Sequence, residues 1–345
     1  MAKIFFLLSG EHETLPVSEL SAILEAEGCV YRTLERLDQV LRLETGVNCM
    51  EAVKRRAALT RLCGCELFNC EAETGEIVKE IRSIRLDEVL KKGESFAVRV
   101  RRVKKASRRI GRMALERKLG ELILGKAADA KVNLRSPEKT FTGILTEERL
   151  VFGLNLAEIP PKPFVERRPR EKPFFHPSAM LAKLARCMVN LAEPKAGELV
   201  FDPFCGTGSM LIEAALTGCR VIGLDVQNRM VKGSRRNLAY FNINSEGLVV
   251  GDARNMPVTK IDCVVTDPPY GRSATTLKRT TRQIIKEALT SVHDLLDNGR
   301  RVCMAAPKTV GVGRIGESLG YKHLASHFVY VHRSLTREIA VFERV

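Results

Sequence analysis

This chain of 345 residues has no tryptophan, and only five tyrosines and fourteen phenylalanines. Residues 99–118 hold no aromatic at all, so any nucleic-acid contact there is expected through shape and backbone rather than base stacking. No apolar run approaches the roughly 20 residues of a membrane-spanning helix, so no membrane role is expected. The glycine pattern G-x-G-x-x-G that cradles a dinucleotide pyrophosphate is missing. The ten cysteines lack metal-ligand spacing: Cys63-Gly64-Cys65 with Cys70 is too tight and too short of ligands for zinc, and no metal is expected. No leader pattern opens the chain, which makes a reducing cytoplasm the expected compartment. Cys63, Cys65 and Cys70 are then buried thiols or a local disulfide.

What is present begins with Asp202-Pro203-Phe204-Cys205-Gly206-Thr207-Gly208-Ser209. Glu198 to Asp202 is a short apolar run of the kind found in a buried parallel strand. Gly206 and Gly208 permit positive φ and close backbone approach, and Met210 to Leu216 continues as a helix ending near Gly218. With no pyrophosphate to bind, one close glycine approach suffices for a nucleoside carrying an amino-acid tail. Three further strand patterns end in acids: Arg220 to Asp225, Leu248 to Asp252, and Ile261 to Thr266 before Asp267. Carboxylates at successive carboxyl ends of parallel strands lie where open α/β sheets bind ligands. Asp225, with Val226 beside it, suits ribose hydroxyls; Asp252, with Ala253, suits an adenine amino group. Any one acid alone reads equally as a helix cap.

Asp267-Pro268-Pro269-Tyr270 has the chemistry of a clamp for a planar amine. An exocyclic amine on guanine, adenine or cytosine is a poor nucleophile because its lone pair is delocalised into the ring. Two acceptors, the Asp267 carboxylate and the Pro268 carbonyl, can hold its two N–H bonds so that the nitrogen pyramidalises. Two prolines fix φ and remove backbone donors, and Tyr270 offers a stacking face. Cys205 reads as a small residue lining the donor pocket, because a methylated amine needs no covalent base adduct.

Formal net charge is +15, and it is unevenly placed. Residues 1–50 hold four basic and eight acidic residues, whereas residues 99–118 hold ten Lys and Arg against Glu116 alone. Such a run repels itself unless a polyanion is near, so Arg101, Arg102, Lys104, Lys105, Arg108, Arg109 and Arg112 are candidate RNA contacts. Pro160 to Pro173, rich in proline and charge, reads as an extended, stiff linker, its arginines either touching RNA or solvated.

The C-terminal half resembles the Rossmann-like class I methyltransferases that modify exocyclic amines through an (N/D)-P-P-(Y/F) motif. The order of parts, with Phe174-Phe175-His176-Pro177 upstream of the glycine loop, matches the group whose members place Phe175, His176 and Pro177 on the donor site. Phe96 to Arg101, Lys118 to Gly120, Val132 to Leu134 and Pro137-Glu138 resemble a THUMP module, an RNA-binding unit of tRNA-modifying enzymes. Taken together, the chain resembles the archaeal and eukaryotic tRNA guanosine-10 N2-methyltransferases. That resemblance implies an α/β protein: a ferredoxin-like domain over 1–65, a THUMP domain over 66–157, a linker over 158–173 and a Rossmann-like methyltransferase domain over 174–345. It further implies S-adenosylmethionine as cofactor, with Asp202, Pro203, Cys205, Gly206, Thr207, Gly208, Ser209, Asp225, Val226, Asp252, Ala253 and Asp267 around it. Asp267 to Tyr270 are then catalytic, tRNA is the partner, and a monomer is expected. The same clamp also fits another tRNA or rRNA guanosine, or adenine N6. The closing elements are expected as a helix over Thr276 to Leu296, a strand from Gly299 to Ala306, a helix over Val310 to Leu319, and a hairpin of Lys322 to His332 with Arg337 to Glu343.

Overall fold

The computed structural model describes residues 1–127, 129–270 and 280–345. The chain forms two compact units. The first comprises Met1–Glu11, Cys29–Lys54 and Thr60–Ile159; the second comprises His12–Gly28, Arg55–Leu59 and Pro160–Val345.

The first unit holds one eight-stranded sheet. Its strands are β1 (Ala2–Leu8), β2 (Tyr31–Leu37), β3 (Val40–Thr45), β4 (Thr60–Glu71), β5 (Ser95–Arg102), β6 (Lys131–Val132), β7 (Lys139–Thr146) and β8 (Arg149–Glu158). They lie in the order β2-β3-β1-β4-β8-β7-β5-β6. The expected boundary at 65/66 falls inside β4, which pairs with β1 on one side and β8 on the other. The two N-terminal patterns therefore share one sheet instead of making two. Beyond β5, Lys104 and Ser107 take positive φ in a turn, and the next helix starts at Arg112. Of the Val132 to Leu134 stretch, only Val132 lies in a strand, the two-residue β6.

The chain's helices are α1 (Leu15–Ala26), α2 (Cys49–Arg56), α3 (Thr74–Ser83), α4 (Arg112–Lys126), α5 (Lys162–Glu166), α6 (Ala182–Leu191), α7 (Ser209–Ala215), α8 (Asn228–Tyr240), α9 (Thr281–His293) and α10 (Val312–Ser318). Helix α1, with Pro16 in its first turn where a missing N–H costs nothing, belongs to the second unit and packs on α6. Glu19 is fully buried there. Its carboxylate accepts from the N–H groups of Ala58 (3.0 Å) and Leu59 (2.7 Å) and from Asn190 Nδ2 (2.9 Å). The linker also departs from expectation. Pro161 and Pro163 sit at the start of α5, a position that proline favours, and Phe164 anchors it under the Arg167 and Arg186 guanidiniums.

The second unit's sheet runs β11-β10-β9-β12-β13-β15-β14. Its strands are β9 (Leu199–Asp202), β10 (Arg220–Asp225), β11 (Gly247–Val250), β12 (Cys263–Thr266), β13 (Arg301–Pro307), β14 (Tyr321–His332) and β15 (Leu335–Arg344). The first five are parallel; β15 enters antiparallel between β13 and β14, closing the expected hairpin. The order of strand addition reverses between β9 and β12: β10 and β11 are laid on one side of β9, and β12 and β13, still parallel, on the other. That is the switch point at which such sheets open a crevice. Helix α9 begins at Thr281 with a capping box from Thr280 and Gln283; residues 276–279 of the expected helix lie outside the described residues. Cys29 is bridged to Cys49, while Cys63, Cys65 and Cys70 are free thiols. The expectation of buried thiols thus holds for Cys63 and Cys70, while Cys65 is only half-buried, and the chain is not wholly reduced.

Candidate active site

Four carboxylates line the carboxyl edge of four adjacent strands. Asp202 closes β9, Asp225 closes β10, Asp252 follows β11 and Asp267 follows β12. They border one cavity of about 290 Å3. Gly206 and Gly208 both take positive φ (51° and 79°). At Gly208 a side chain has no room either, since a Cβ would lie 2.5 Å from Ser234 Oγ. The loop can then turn directly into α7.

The acids divide by occupation. Asp202 is 2 % exposed, and its Oδ1 accepts from Thr266 Oγ1 (2.6 Å) and the Phe204 N–H (3.0 Å). Burial pushes its carboxyl up to about 7 against those bonds. Asp225 spends one oxygen on the Gly206 N–H (3.0 Å) and the other on the Gln227 N–H (2.9 Å), and burial raises its carboxyl too. Each oxygen keeps a second lone pair for a ligand. Asp252 is gripped by the Arg254 guanidinium at 2.7 to 3.1 Å.

At the clamp, Tyr270 donates its hydroxyl hydrogen to Asp267 Oδ1 (2.6 Å), and Arg337 Nη2 lies 3.4 Å from Asp267 Oδ2. Arg337 Nε also donates to the Tyr270 hydroxyl. Burial raises the Asp267 carboxyl and the Arg337 charge opposes that rise; burial and the neighbouring carboxylate both push the Tyr270 phenol up, keeping it a hydrogen-bond donor.

Most residues expected around a donor meet at this cavity: His176, Pro203, Cys205, Thr207, Ser209, Val226 and Ala253 line it with the four acids, Gly206 and the clamp. Phe175, Pro177 and Gly208 do not. Phe175 is 40 % exposed beneath the Arg170 guanidinium, and Gly208 is turned toward α8. His176 is oriented by Ser178, whose Oγ is 2.7 Å from Nδ1. Cys205 is 4 % exposed and burial drives its thiol far above the usual range, so it carries no thiolate.

Sequence reading missed the residues that hold these parts together. Asn237 of α8 is fully buried: its Oδ1 accepts from the Phe174 N–H (2.8 Å), and its Nδ2 donates to the carbonyls of Phe174 and Thr207 (2.9 Å each). One amide thus ties the Phe-Phe-His-Pro segment to the glycine loop. Lys172 Nζ donates to Ser209 Oγ (2.9 Å), and burial pulls its ammonium down to about 8. Glu213 of α7 sits between Arg167 (2.7 Å) and Arg186 (2.9 Å), all three largely buried. Only the polar residues of α8 at helical spacing, and the charge inside an otherwise apolar α7, gave any signal in the sequence.

The basic run is partly neutralised from elsewhere in the first unit. Arg101 pairs with Glu158 (2.7 Å), Lys104 with Asp38 (2.9 Å), and Arg109 lies near Glu73 (3.6 Å) and Glu148 (3.8 Å). Arg102 donates to the Ile110 carbonyl. Lys105, Arg108 and Arg112 are exposed, with no acidic partner among the described residues. The expectation of ten uncompensated charges is corrected accordingly: acids distant in sequence answer three of them.

Comparison with known proteins fits this geometry. The THUMP family model matches residues 71–154, and that of the RMKL-like methyltransferase domain matches residues 169–337. The chain is 36% identical to the tRNA (guanine(10)-N2)-dimethyltransferase of Methanothermobacter thermautotrophicus, across 99% of this chain and 100% of that protein. The chain belongs to the tRNA (guanine(10)-N2)-dimethyltransferase family. A second member, from Methanocaldococcus jannaschii, is 33% identical across 99% of this chain and all of its own. Among solved structures, TrmN from Thermus thermophilus shares the fold over 99% of this chain and 100% of its own, with a TM-score of 0.54 at 21% identity. Among the described residues no helix is long and apolar enough to cross a membrane, and no cluster of His, Cys, Asp and Glu could hold a metal ion.

Proposed function

We propose that this family member transfers methyl groups from S-adenosylmethionine to the exocyclic N2 of guanosine 10 in tRNA, giving N2-methylguanosine and, on a second turnover, N2,N2-dimethylguanosine. The observation that carries the reading is the single cavity shared by the glycine loop, the four strand-end acids and the Asp267 clamp. Those acids suit a ligand rich in N–H and O–H donors that also carries positive charge, which fits S-adenosylmethionine. Asp225 and Asp252 would hold its ribose and adenine, and the loop from Asp202 to Ser209, with His176, its amino-acid tail.

When bound, S-adenosylmethionine supplies an electrophilic methyl group on a sulfonium sulfur. The chain's own part is positioning and electrostatics. Asp267 accepts one N–H of the amine and the Pro268 carbonyl the other, which turns the nitrogen lone pair toward the methyl carbon. Pro269 stiffens the turn and Tyr270 packs on the base. As the new N–C bond forms, the bond from the methyl carbon to sulfur breaks and its electron pair stays on sulfur as a neutral thioether; N2 becomes cationic and sheds a proton. Asp267, already raised by burial, is the nearest acceptor and passes it to solvent. Lys105, Arg108 and Arg112, exposed in the first unit, supply phosphate contacts that fix the tRNA.

The test is to incubate the protein with labelled S-adenosylmethionine and an unmodified tRNA transcript, digest it, and identify the product nucleoside by mass spectrometry. N2-methylated guanosine mapped to position 10 is expected. N6-methyladenosine, or label at another guanosine, overturns the substrate assignment.

A further inference from the structure

The clamp motif alone does not choose its base. Any exocyclic amine offers two N–H bonds to Asp267 and Pro268, so a preference for guanine has to come from a neighbour. Arg337 is that neighbour. It lies on β15, paired with Pro307 of β13 and Val329 of β14, and lines the same cavity. Its side chain is 13 % exposed and that of Asp267 16 %, so both remain reachable from the cavity.

The guanidinium lies over the Tyr270 ring, 5.6 Å from its centroid, and three atom contacts orient it. Nε donates to the Tyr270 hydroxyl, Nη1 lies 3.7 Å from Met180 Sδ, and Nη2 lies 3.4 Å from Asp267 Oδ2. The last distance is too long for a committed hydrogen bond. An arginine fork carries five N–H donors, so Nη2 still has a hydrogen to give. Each carboxylate oxygen of Asp267 can accept twice. With Tyr270 on Oδ1 and Arg337 beside Oδ2, each oxygen keeps room for one more donor.

The result is a row of acceptor, acceptor and donor: Oδ1, Oδ2, Nη2. The Watson–Crick edge of guanine is the complementary row, with N2–H and N1–H donating and O6 accepting. Adenine presents its amino group beside N1, an acceptor. That would set a ring lone pair against a carboxylate oxygen and leave the arginine unanswered. A buried polar group deprived of its partner is a strong basis for rejection. We infer that Arg337 is a specificity-determining residue of this site: with the two oxygens of Asp267 it reads the Watson–Crick edge of the target guanine, donating to O6. This rests on the function proposed above and adds the residue that makes the clamp selective.

The experiment uses the full chain and two ligated tRNAs that differ at the target nucleotide, one carrying guanosine and the other 2-aminopurine. The second keeps the reactive amine but has neither N1–H nor O6. Single-turnover rates are measured at saturating S-adenosylmethionine for the wild type, Arg337→Met and Arg337→Lys. The wild type should prefer guanosine. Arg337→Met should reduce that preference on the order of 10- to 100-fold, as expected for one charged hydrogen bond, while Arg337→Lys keeps an intermediate preference.

A purely structural role, holding Tyr270 or keeping Asp267 ionised, would slow both substrates by one factor and leave the ratio unchanged, which overturns the inference. Equal wild-type rates on the two tRNAs overturn it without any variant. If Arg337→Met does not fold, a wild-type ratio in Arg337→Lys also overturns it. A wild type that methylates no guanosine at all refutes the parent reading instead, and is told apart by that result.

Discussion

The cavity at the strand ends and the basic segment from Arg99 to Lys118 both concentrate charge, and they treat it in opposite ways. At and behind the cavity the charges are mostly buried or half-buried and are held by named partners: Glu213 by two arginines, Asp202 by Thr266 and a backbone N–H, Asp267 by Tyr270 and Arg337. In the basic segment most of the charges stand in solvent, and the ion pairs they make are exposed. Buried charge is strong, directional and costly to disturb; exposed charge is screened, and each pair contributes about 0–1 kcal/mol. The first arrangement suits chemistry on one atom. The second suits a polyanion, for which summed field matters more than any single pairing.

The comparison is tested hardest by Glu213→Ala. Arg167 and Arg186 would be left without their buried counter-charge, and a loss of about 3–5 kcal/mol is expected in denaturant unfolding. A loss under about 1 kcal/mol would mean the network is as weak as a surface pair. Next comes Asp267→Ala, which removes an acceptor from the reacting amine. It should lower the single-turnover rate on the order of 10²-fold or more with little change in S-adenosylmethionine affinity by calorimetry. A comparable loss of affinity would place Asp267 in donor binding instead.

Replacing Lys105, Arg108 and Arg112 by Gln should weaken tRNA binding and lower the slope of log affinity against log salt by roughly one for each phosphate no longer neutralised. Thermal stability should hold, because surface changes of this kind stay within about 0.5 kcal/mol. An unchanged slope would move the RNA face elsewhere.

A pH-dependent effect concerns Asp202, whose folded carboxyl keeps its proton up to about pH 7. Unfolded, it releases that proton near pH 4. Between those values the native state binds more protons, so this group makes stability fall as pH rises through the window. Asp202→Asn should remove that downward contribution, visible as a shallower Tm profile between about pH 4 and pH 7. Identical profiles for the two proteins would show that Asp202 is ionised throughout.

Much of the site was legible because its chemistry is local in the chain. A strand, a glycine turn and a helix start are written in consecutive residues from Leu199 to Ala215, and the Asp-Pro-Pro-Tyr turn is four residues long. The same holds for the acids that close successive strands, since alternation of strand and helix predicts a parallel sheet. What could not be read are the partners that arrive from afar. Glu158 and Asp38 come to the basic run through the order of one eight-stranded sheet. Asn237 reaches Phe174 across 63 residues. Helix α1 joins the second unit because Glu19, buried, needs donors that Ala58, Leu59 and Asn190 supply.

By itself, then, the sequence determined the motifs, their order and the chemistry they carry, because backbone preference and turn geometry depend on neighbours along the chain. Tertiary structure alone decided that Cys29 pairs with Cys49, that Lys172 meets Ser209, and that Arg337 stands beside Asp267. Those meetings depend on strand order and register: inserting β15 beside β13 brings residue 337 to residue 267, and no local pattern encodes that pairing.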